Sequence, residues 1–142
     1  MILLNLIWHG LRTLSLSLSK TSILSKIKEG YLFWMGIVPH IPRTARYTLG
    51  IRIENKFLDL LESSYTSYFS GKDKKLVLLS ECIFTADILK FLVTTCWEGK
   101  FISNRQYESM STKLDEIGKM LYGWKKSLEI PTKTPPIKRG KE

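Results

Sequence analysis

The chain contains few of the residues from which catalytic and metal sites are built. Its 142 residues include only two cysteines and two histidines. Cys82 and Cys96 both lie in an apolar stretch and do not form a C-x-x-C pair. This pattern argues against a disulfide framework and against a zinc site. It favours two buried free thiols and a reducing, cytoplasmic setting.

The two histidines stand apart from any catalytic pattern. His9 lies near the N-terminus and His40 lies between two prolines, so neither has neighbours that form a Ser-His-Asp relay. The motifs H-E-x-x-H, G-x-x-x-x-G-K and G-x-G-x-x-G do not occur in the sequence. Glu-x-x-His pairs, which build di-iron sites in helix bundles, do not occur either. The sequence therefore predicts a protein that is not an enzyme and that needs no cofactor or metal.

Hydrophobic runs long enough to span a membrane are also lacking. The apolar run from Met1 to Trp8 is far shorter than the roughly 20 residues that a transmembrane helix needs, and Arg12 interrupts its continuation. We interpret residues 1–20 as an N-terminal appendage of undefined role and expect no membrane partner. Two alternatives stay open, namely a weak signal peptide and a membrane-surface segment formed by residues 1–18.

The rest of the chain shows the three-and-four spacing of apolar residues that is typical of amphipathic helices. The spacing predicts a first helix over 21–38, which Pro39 and Pro42 end because proline disfavours helical geometry. A second helix is predicted from Pro42 or Arg43 to Phe69. We expect Gly71 to provide a left-handed C-terminal cap and Asp73 to cap the next helix.

Two further helices are predicted after Gly71. The third covers 74–98 and carries so many apolar residues that we expect it to be the most buried of the four. Gly99 marks its end. The fourth begins at a capping box formed by Ser103 and Gln106, and a heptad seam then runs from Tyr107 to Leu128.

Short connections between successive helices predict an all-α, up-down-up-down four-helix bundle over residues 21–128. After Leu128, prolines and basic residues replace the apolar period. We therefore predict that residues 129–142 form a disordered basic tail. The aromatic residues near 31–34 and 65–69 fit either a wide core face or a subunit interface.

Charge is the composition's most informative feature. Lysine and arginine total 22 against 13 acidic residues, which gives a net charge of +9. The excess lies at the start of the second helix, along the fourth helix and in the tail. An exposed basic face supplies sequence-independent affinity for phosphate backbones, whereas the alternative is a solvated surface that only maintains solubility. The candidate nucleic-acid-binding residues are Arg43, Arg46, Arg52, Lys56, Lys119, Lys125 and Lys126.

Two stretches resemble a known family. Residues 41–53 read IPRTARYTLGIRI and residues 114–124 read LDEIGKMLYGW. Together they resemble the accessory variability determinant proteins of diversity-generating retroelements and the related four-helix bundles encoded in ribosomal-RNA intervening sequences. The resemblance covers about residues 22–128. It departs from the family pattern at Tyr122, where the pattern has glycine.

The resemblance implies a fold and a role. Members of the family are four-helix bundles that assemble into homopentameric, barrel-like rings with a basic surface. The accessory proteins bind the retroelement's reverse transcriptase and nucleic acid, RNA or cDNA, and support mutagenic retrohoming without being the polymerase. Arg43, Arg46, Arg52 and Lys119 match basic positions of the family pattern, whereas Lys56, Lys125 and Lys126 come from the charge distribution alone.

An alternative function follows from the same resemblance. The relatives encoded in ribosomal-RNA intervening sequences are bundles of structural or protein-interaction type, with no retroelement role. A chain of that kind would share the fold and the basic surface. The genomic neighbourhood separates the two interpretations, because only the first expects a reverse transcriptase gene and a pair of imperfect repeats nearby.

Overall fold

A computed structural model describes residues 23–129 of the chain. Four long helices dominate it: α1 spans Ile23–Ile37, α2 spans Ile51–Tyr68, α3 spans Lys72–Glu98 and α4 spans Asn104–Glu129. Within residues 23–129 there is no β-strand. The predicted all-α class and the four helices are confirmed. The appendage predicted for residues 1–20 lies outside the described residues, as does the predicted tail except for Glu129, which ends α4.

The connection between α1 and α2 is helical for most of its length. A 3₁₀ turn, Val38–His40, follows α1 and contains Pro39 near its start. A short helical turn, Arg43–Ala45, and a five-residue π-helical turn, Arg46–Gly50, then lead directly into α2. Pro42 precedes the first of these turns, and its carbonyl accepts hydrogen bonds from the amides of Ala45 and Arg46 at 3.0 and 2.9 Å. The two prolines therefore separate the helices as the sequence predicts.

The helices form a closed square in which each packs against its neighbours in sequence. α1 contacts α2 and α4, while α3 contacts the same two helices from the opposite corner. Antiparallel neighbours joined by short connections give the up-down-up-down arrangement. The core is filled by large, fully buried side chains from all four helices, such as Trp34, Phe57, Leu89 and Leu114.

The start of α4 follows the predicted chemistry. The amide of Gln106 donates to the Ser103 hydroxyl at 3.1 Å, and the Gln106 side-chain oxygen accepts from the Ser103 amide at 2.9 Å. This reciprocal pair satisfies two backbone amides that the first helical turn leaves free. Met110, Leu114, Ile117 and Leu121 then form the buried seam of α4.

The caps predicted around Gly71 are wrong. Gly71 is extended, with φ −65° and ψ 162°, and it precedes α3 without a side-chain cap. Asp73 lies inside the first turn of α3 and does not cap the helix. Its negative charge there interacts favourably with the helix dipole. The left-handed residue of the bundle is Lys100, with φ 61°, which follows Gly99 at the end of α3.

The third helix was predicted to be the most buried of the four, but its outer face is exposed, so that prediction is wrong there. Val77, Phe84 and Phe91 lie at intervals of seven residues and are 59%, 66% and 71% exposed. We call these three residues the α3 outer stripe. A helix at the corner of a square bundle contacts two neighbours, so a helix that is apolar on all sides leaves one face uncovered.

Candidate functional site

The predicted basic residues divide between two regions of the bundle. Arg43 and Arg46 precede α2, and Arg52 and Lys56 lie in its first turns. Lys119, Lys125 and Lys126 lie in the second half of α4. α2 and α4 run parallel, and the rings of Tyr68 and Trp124 pair at a tilt near their common C-terminal end, with centroids 4.6 Å apart. These lysines therefore lie at the opposite end of the bundle from Arg43. The structure therefore does not bring all seven residues together.

Arg52 and Lys56 are the two that share a site. Both line a groove of about 860 Å³ between the start of α2 and the middle of α3. We call it the Tyr47 groove, because Tyr47 of the π-helical turn forms part of its wall and is 60% exposed. Asn55 adds a side-chain amide, and Ile88 and Leu92 of α3 form an apolar side.

The cations of the groove are electrostatically available. The ion pairs of the described residues involve other lysines, namely Lys26, Lys90, Lys113 and Lys125. Within residues 23–129, neither Arg52 nor Lys56 lies within 4.0 Å of a carboxylate oxygen. The attraction of such a cation for an anionic ligand is not offset by a neighbouring carboxylate.

The ion-paired lysines have a different role. Lys26 Nζ lies 3.1 Å from a Glu116 carboxylate oxygen and joins α1 to α4, and this hydrogen bond raises the pKa of Lys26. Lys90 and Asp115, 3.1 Å apart, join α3 to α4 in the same way. Such pairs are exposed and contribute little to stability, but they neutralise charge on these faces. The cations of residues 23–129 that lack a carboxylate partner include Arg52 and Lys56 of the groove.

Arg46 is directed at the protein's own backbone. Its Nε and Nη2 atoms donate to the carbonyl oxygen of Ile41 at 3.1 and 2.9 Å, and Nη2 also donates to the Pro39 carbonyl at 3.0 Å. These bonds fix the connection between α1 and α2. Arg43 is exposed nearby and makes no such side-chain bond within the described residues.

Two of the three remaining candidates, which lie on α4, are only partly free. Lys125 pairs with Glu129 at 3.6 Å, four residues further along the helix. Lys126 lies over the Tyr122 ring, with 5.8 Å between its Nζ and the ring centroid. Lys119 is exposed. These three lysines add positive potential at their end of the bundle but line no groove with Arg52 and Lys56.

The groove also contains Tyr47 and Asn55, which are not among the residues predicted from the sequence. Tyr47 and Asn55 carry no charge, whereas the predicted residues are all basic positions of the family pattern or of the charge distribution. The sequence places Tyr47 one residue after Arg46 in a predicted regular helix. The π-helical turn that presents Tyr47 at the groove follows from three-dimensional packing and has no simple sequence signature.

Neither a metal site nor a membrane span is found in the part of the chain described. Across residues 23–129, no three His, Cys, Asp or Glu side chains are placed to hold a metal ion. No helix within the same range combines the length and the apolar character needed to cross a membrane. Cys82 and Cys96 are free and buried, as predicted.

These observations define an all-α, four-helix bundle with an unpaired basic groove. The chain belongs to the bAvd-like family, that of accessory variability determinants, whose model matches residues 21–128. The match covers the whole bundle and confirms the predicted family resemblance.

A solved structure shares the fold. It is a protein of unknown function from the S23 ribosomal protein family of Bacteroides thetaiotaomicron, with a TM-score of 0.67 and 14% sequence identity. The similarity covers 73% of this chain and 95% of the other. No curated protein matches this chain.

Proposed function

We propose that this protein is a non-catalytic accessory protein of a diversity-generating retroelement, which binds nucleic acid and the element's reverse transcriptase. The observation that carries the nucleic-acid part is the pair formed by Arg52 and Lys56, two cations without carboxylate partners on one groove wall. Membership of the bAvd-like family supports the retroelement context and the polymerase partner. The buried free thiols support a cytoplasmic setting.

A binding titration tests the nucleic-acid part. We expect the protein to bind a structured RNA at low salt and the variant carrying Arg52→Glu and Lys56→Glu to bind it at least tenfold more weakly, because two attractive contacts become repulsive. The control variant carries Lys72→Glu and Lys74→Glu, which change the net charge equally at the exposed start of α3. Equal weakening by both variants would show a general charge effect and would contradict a role for the groove.

The polymerase partner requires a separate test. We expect a reverse transcriptase gene and imperfect repeats near the gene for this chain, and we expect the encoded polymerase to co-purify with it. Nuclease treatment during purification distinguishes a direct protein contact from a bridge made by nucleic acid. A neighbourhood without such a gene would favour the alternative function, a structural or protein-interaction bundle. The shared fold with the S23-family protein is compatible with that alternative.

We also propose that the protein assembles as a homopentamer. The α3 outer stripe supports assembly, because three large apolar side chains at heptad spacing are typical of a surface that a second helix covers. In a cyclic ring each subunit offers two different surfaces to its neighbours, so the stripe would meet another part of the next copy.

A further inference from the structure

Tyr47 is an unusual residue for a groove lined by cations. The residue is 60% exposed. It is absent from the aromatic pairs that the described residues form. One face of an aromatic ring is therefore available beside Arg52 and Lys56.

The backbone that carries Tyr47 is held firmly. Arg46 bonds to the Ile41 and Pro39 carbonyls on one side of it. The Trp34 indole donates to the Gly50 carbonyl at 3.2 Å and ties the π-helical turn to the buried face of α1. Short π-helical turns occur frequently at functional sites, where the extra residue redirects a side chain. Tyr47 is thus presented by a fixed support.

The groups around Tyr47 match the parts of a nucleotide. An aromatic ring stacks on the face of a base, and cations one or two turns away contact the phosphates on either side. The amide of Asn55 supplies both a donor and an acceptor for a base edge. The apolar wall of Ile88 and Leu92 suits a base or sugar and does not suit a bare phosphate.

We propose that the Tyr47 groove binds an unpaired nucleotide of a single-stranded nucleic acid, with its base stacked on Tyr47. This inference rests on the proposed nucleic-acid function and specifies its substrate class. A base within a duplex has both faces covered by its neighbours, so a duplex would gain from Arg52 and Lys56 but not from Tyr47. The groove therefore distinguishes single strands from duplexes. None of the three residues of the α3 outer stripe lines the groove, although Ile88 of the groove wall lies within about one turn of Phe84 and Phe91 along α3.

Fluorescence anisotropy with a labelled single-stranded RNA of about ten nucleotides, and with the duplex of the same sequence, tests this proposal. Tyr47→Ala is expected to weaken single-strand binding by about 5- to 150-fold, the range measured for loss of one stacked base. Duplex binding is expected to change less than twofold. Tyr47→Phe is expected to retain single-strand binding, because the ring and its face remain.

The matched control is Tyr65→Ala, which removes an exposed tyrosine that lies on α2 and outside the groove. It is expected to leave both affinities unchanged, and circular dichroism should show that all three variants fold. The proposal is overturned if Tyr47→Ala weakens neither RNA, if it weakens both equally, or if Tyr47→Phe weakens binding as much as alanine does.

The outcomes separate this inference from the proposed function. Loss of binding on reversal of Arg52 and Lys56, without an effect of Tyr47→Ala, would leave the nucleic-acid function standing and reject base stacking. Absence of binding by the unaltered protein to either RNA would reject both. Binding of an acidic peptide with the same dependence on Tyr47, and no RNA binding, would assign the groove to a protein partner and overturn the proposal.

Discussion

At the scale of single residues, the structure separates basic side chains that look alike in sequence. Arg43 and Arg46 are neighbours in the same motif and both were predicted to bind nucleic acid. Arg43 is exposed, whereas Arg46 bonds to two backbone carbonyls of the connection between α1 and α2. Their side chains therefore have different tasks, and stability measurements should distinguish them.

We expect Arg46→Ala to lower the free energy of unfolding by about 1–3 kcal/mol, because two carbonyls lose charge-assisted hydrogen bonds. Arg46→Lys should also destabilise, since lysine lacks the planar fork that reaches both carbonyls. The matched control, Arg43→Ala, should change stability by less than 0.5 kcal/mol, which is typical of exposed positions. Urea denaturation measures all three, and equal effects of Arg43→Ala and Arg46→Ala would contradict the structural role.

Cys96 gives a second prediction at this scale. Burial raises the pKa of its thiol from 9.0 to about 11. Well below pH 9 the Cys96 thiol is protonated in both the folded and the unfolded chain, so its ionisation does not lower the stability of the fold. As the pH rises from 9 to about 11 the unfolded chain ionises first, and stability is lost. Cys96→Val should therefore show a smaller fall in stability between pH 8 and pH 10.5 than the unaltered chain, and an identical fall would contradict the burial argument.

At the scale of elements, the sequence predicts helices better than it predicts their ends. The apolar period places all four helices, and the capping box at Ser103 is confirmed atom by atom. Gly71 and Lys100 show what the sequence does not reveal. Glycine favours a left-handed cap without requiring one, and at the end of α3 the left-handed residue is a lysine. Phe101, the residue after Lys100, packs against Gly99 in this turn, and the sequence does not reveal that contact.

The end of α3 has a Schellman-type geometry. The Phe101 amide donates to the Cys96 carbonyl at 3.0 Å and the Lys100 amide donates to the Trp97 carbonyl at 2.9 Å. Gly99 lies against the Phe101 ring, so that a Cβ atom at this position would come within 2.5 Å of the ring. A side chain larger than hydrogen at residue 99 would therefore displace Phe101.

We expect Gly99→Ala to destabilise the bundle by about 1–3 kcal/mol through this overlap. Gly71→Ala is the control, because a Cβ atom there meets nothing within 4 Å and the backbone is extended. Thermal unfolding of both variants measures the difference. A Gly99→Ala variant as stable as Gly71→Ala would show that the turn adjusts freely.

At the scale of the whole molecule, the basic groove and the apolar stripe could not be predicted from the sequence. The charge excess points to the second and fourth helices, but the sequence does not show that Arg52 and Lys56 line one groove with residues of α3. Likewise, the apolar character of α3 predicts burial, whereas its corner position leaves the α3 outer stripe exposed. The position of each residue within the bundle decides which residues act together. The spacing of residues along one helix does not reveal that position.

Assembly gives the prediction at this scale. Light scattering of the unaltered protein should give a mass about five times the 16.4 kDa of one chain. The variant carrying Phe84→Asp and Phe91→Asp should have a lower mass, because assembly would have to bury the new charges in the interface. Both positions are exposed in the single chain, so these substitutions should leave its fold intact. Lys72→Glu with Lys74→Glu should leave the mass unchanged. A monomer in the unaltered protein at micromolar concentration would contradict the pentamer.

The proposal that unpaired cations of this bundle bind nucleic acid is best tested by the salt dependence of the dissociation constant for a single-stranded RNA. If Arg52 and Lys56 each neutralise a phosphate, the logarithm of the binding constant should fall with the logarithm of salt concentration with a slope of about −1.4 or steeper. The slope should become shallower by about 1.4 when both residues are changed to alanine. A slope near zero in the unaltered protein, or the same slope in both proteins, would contradict the claim.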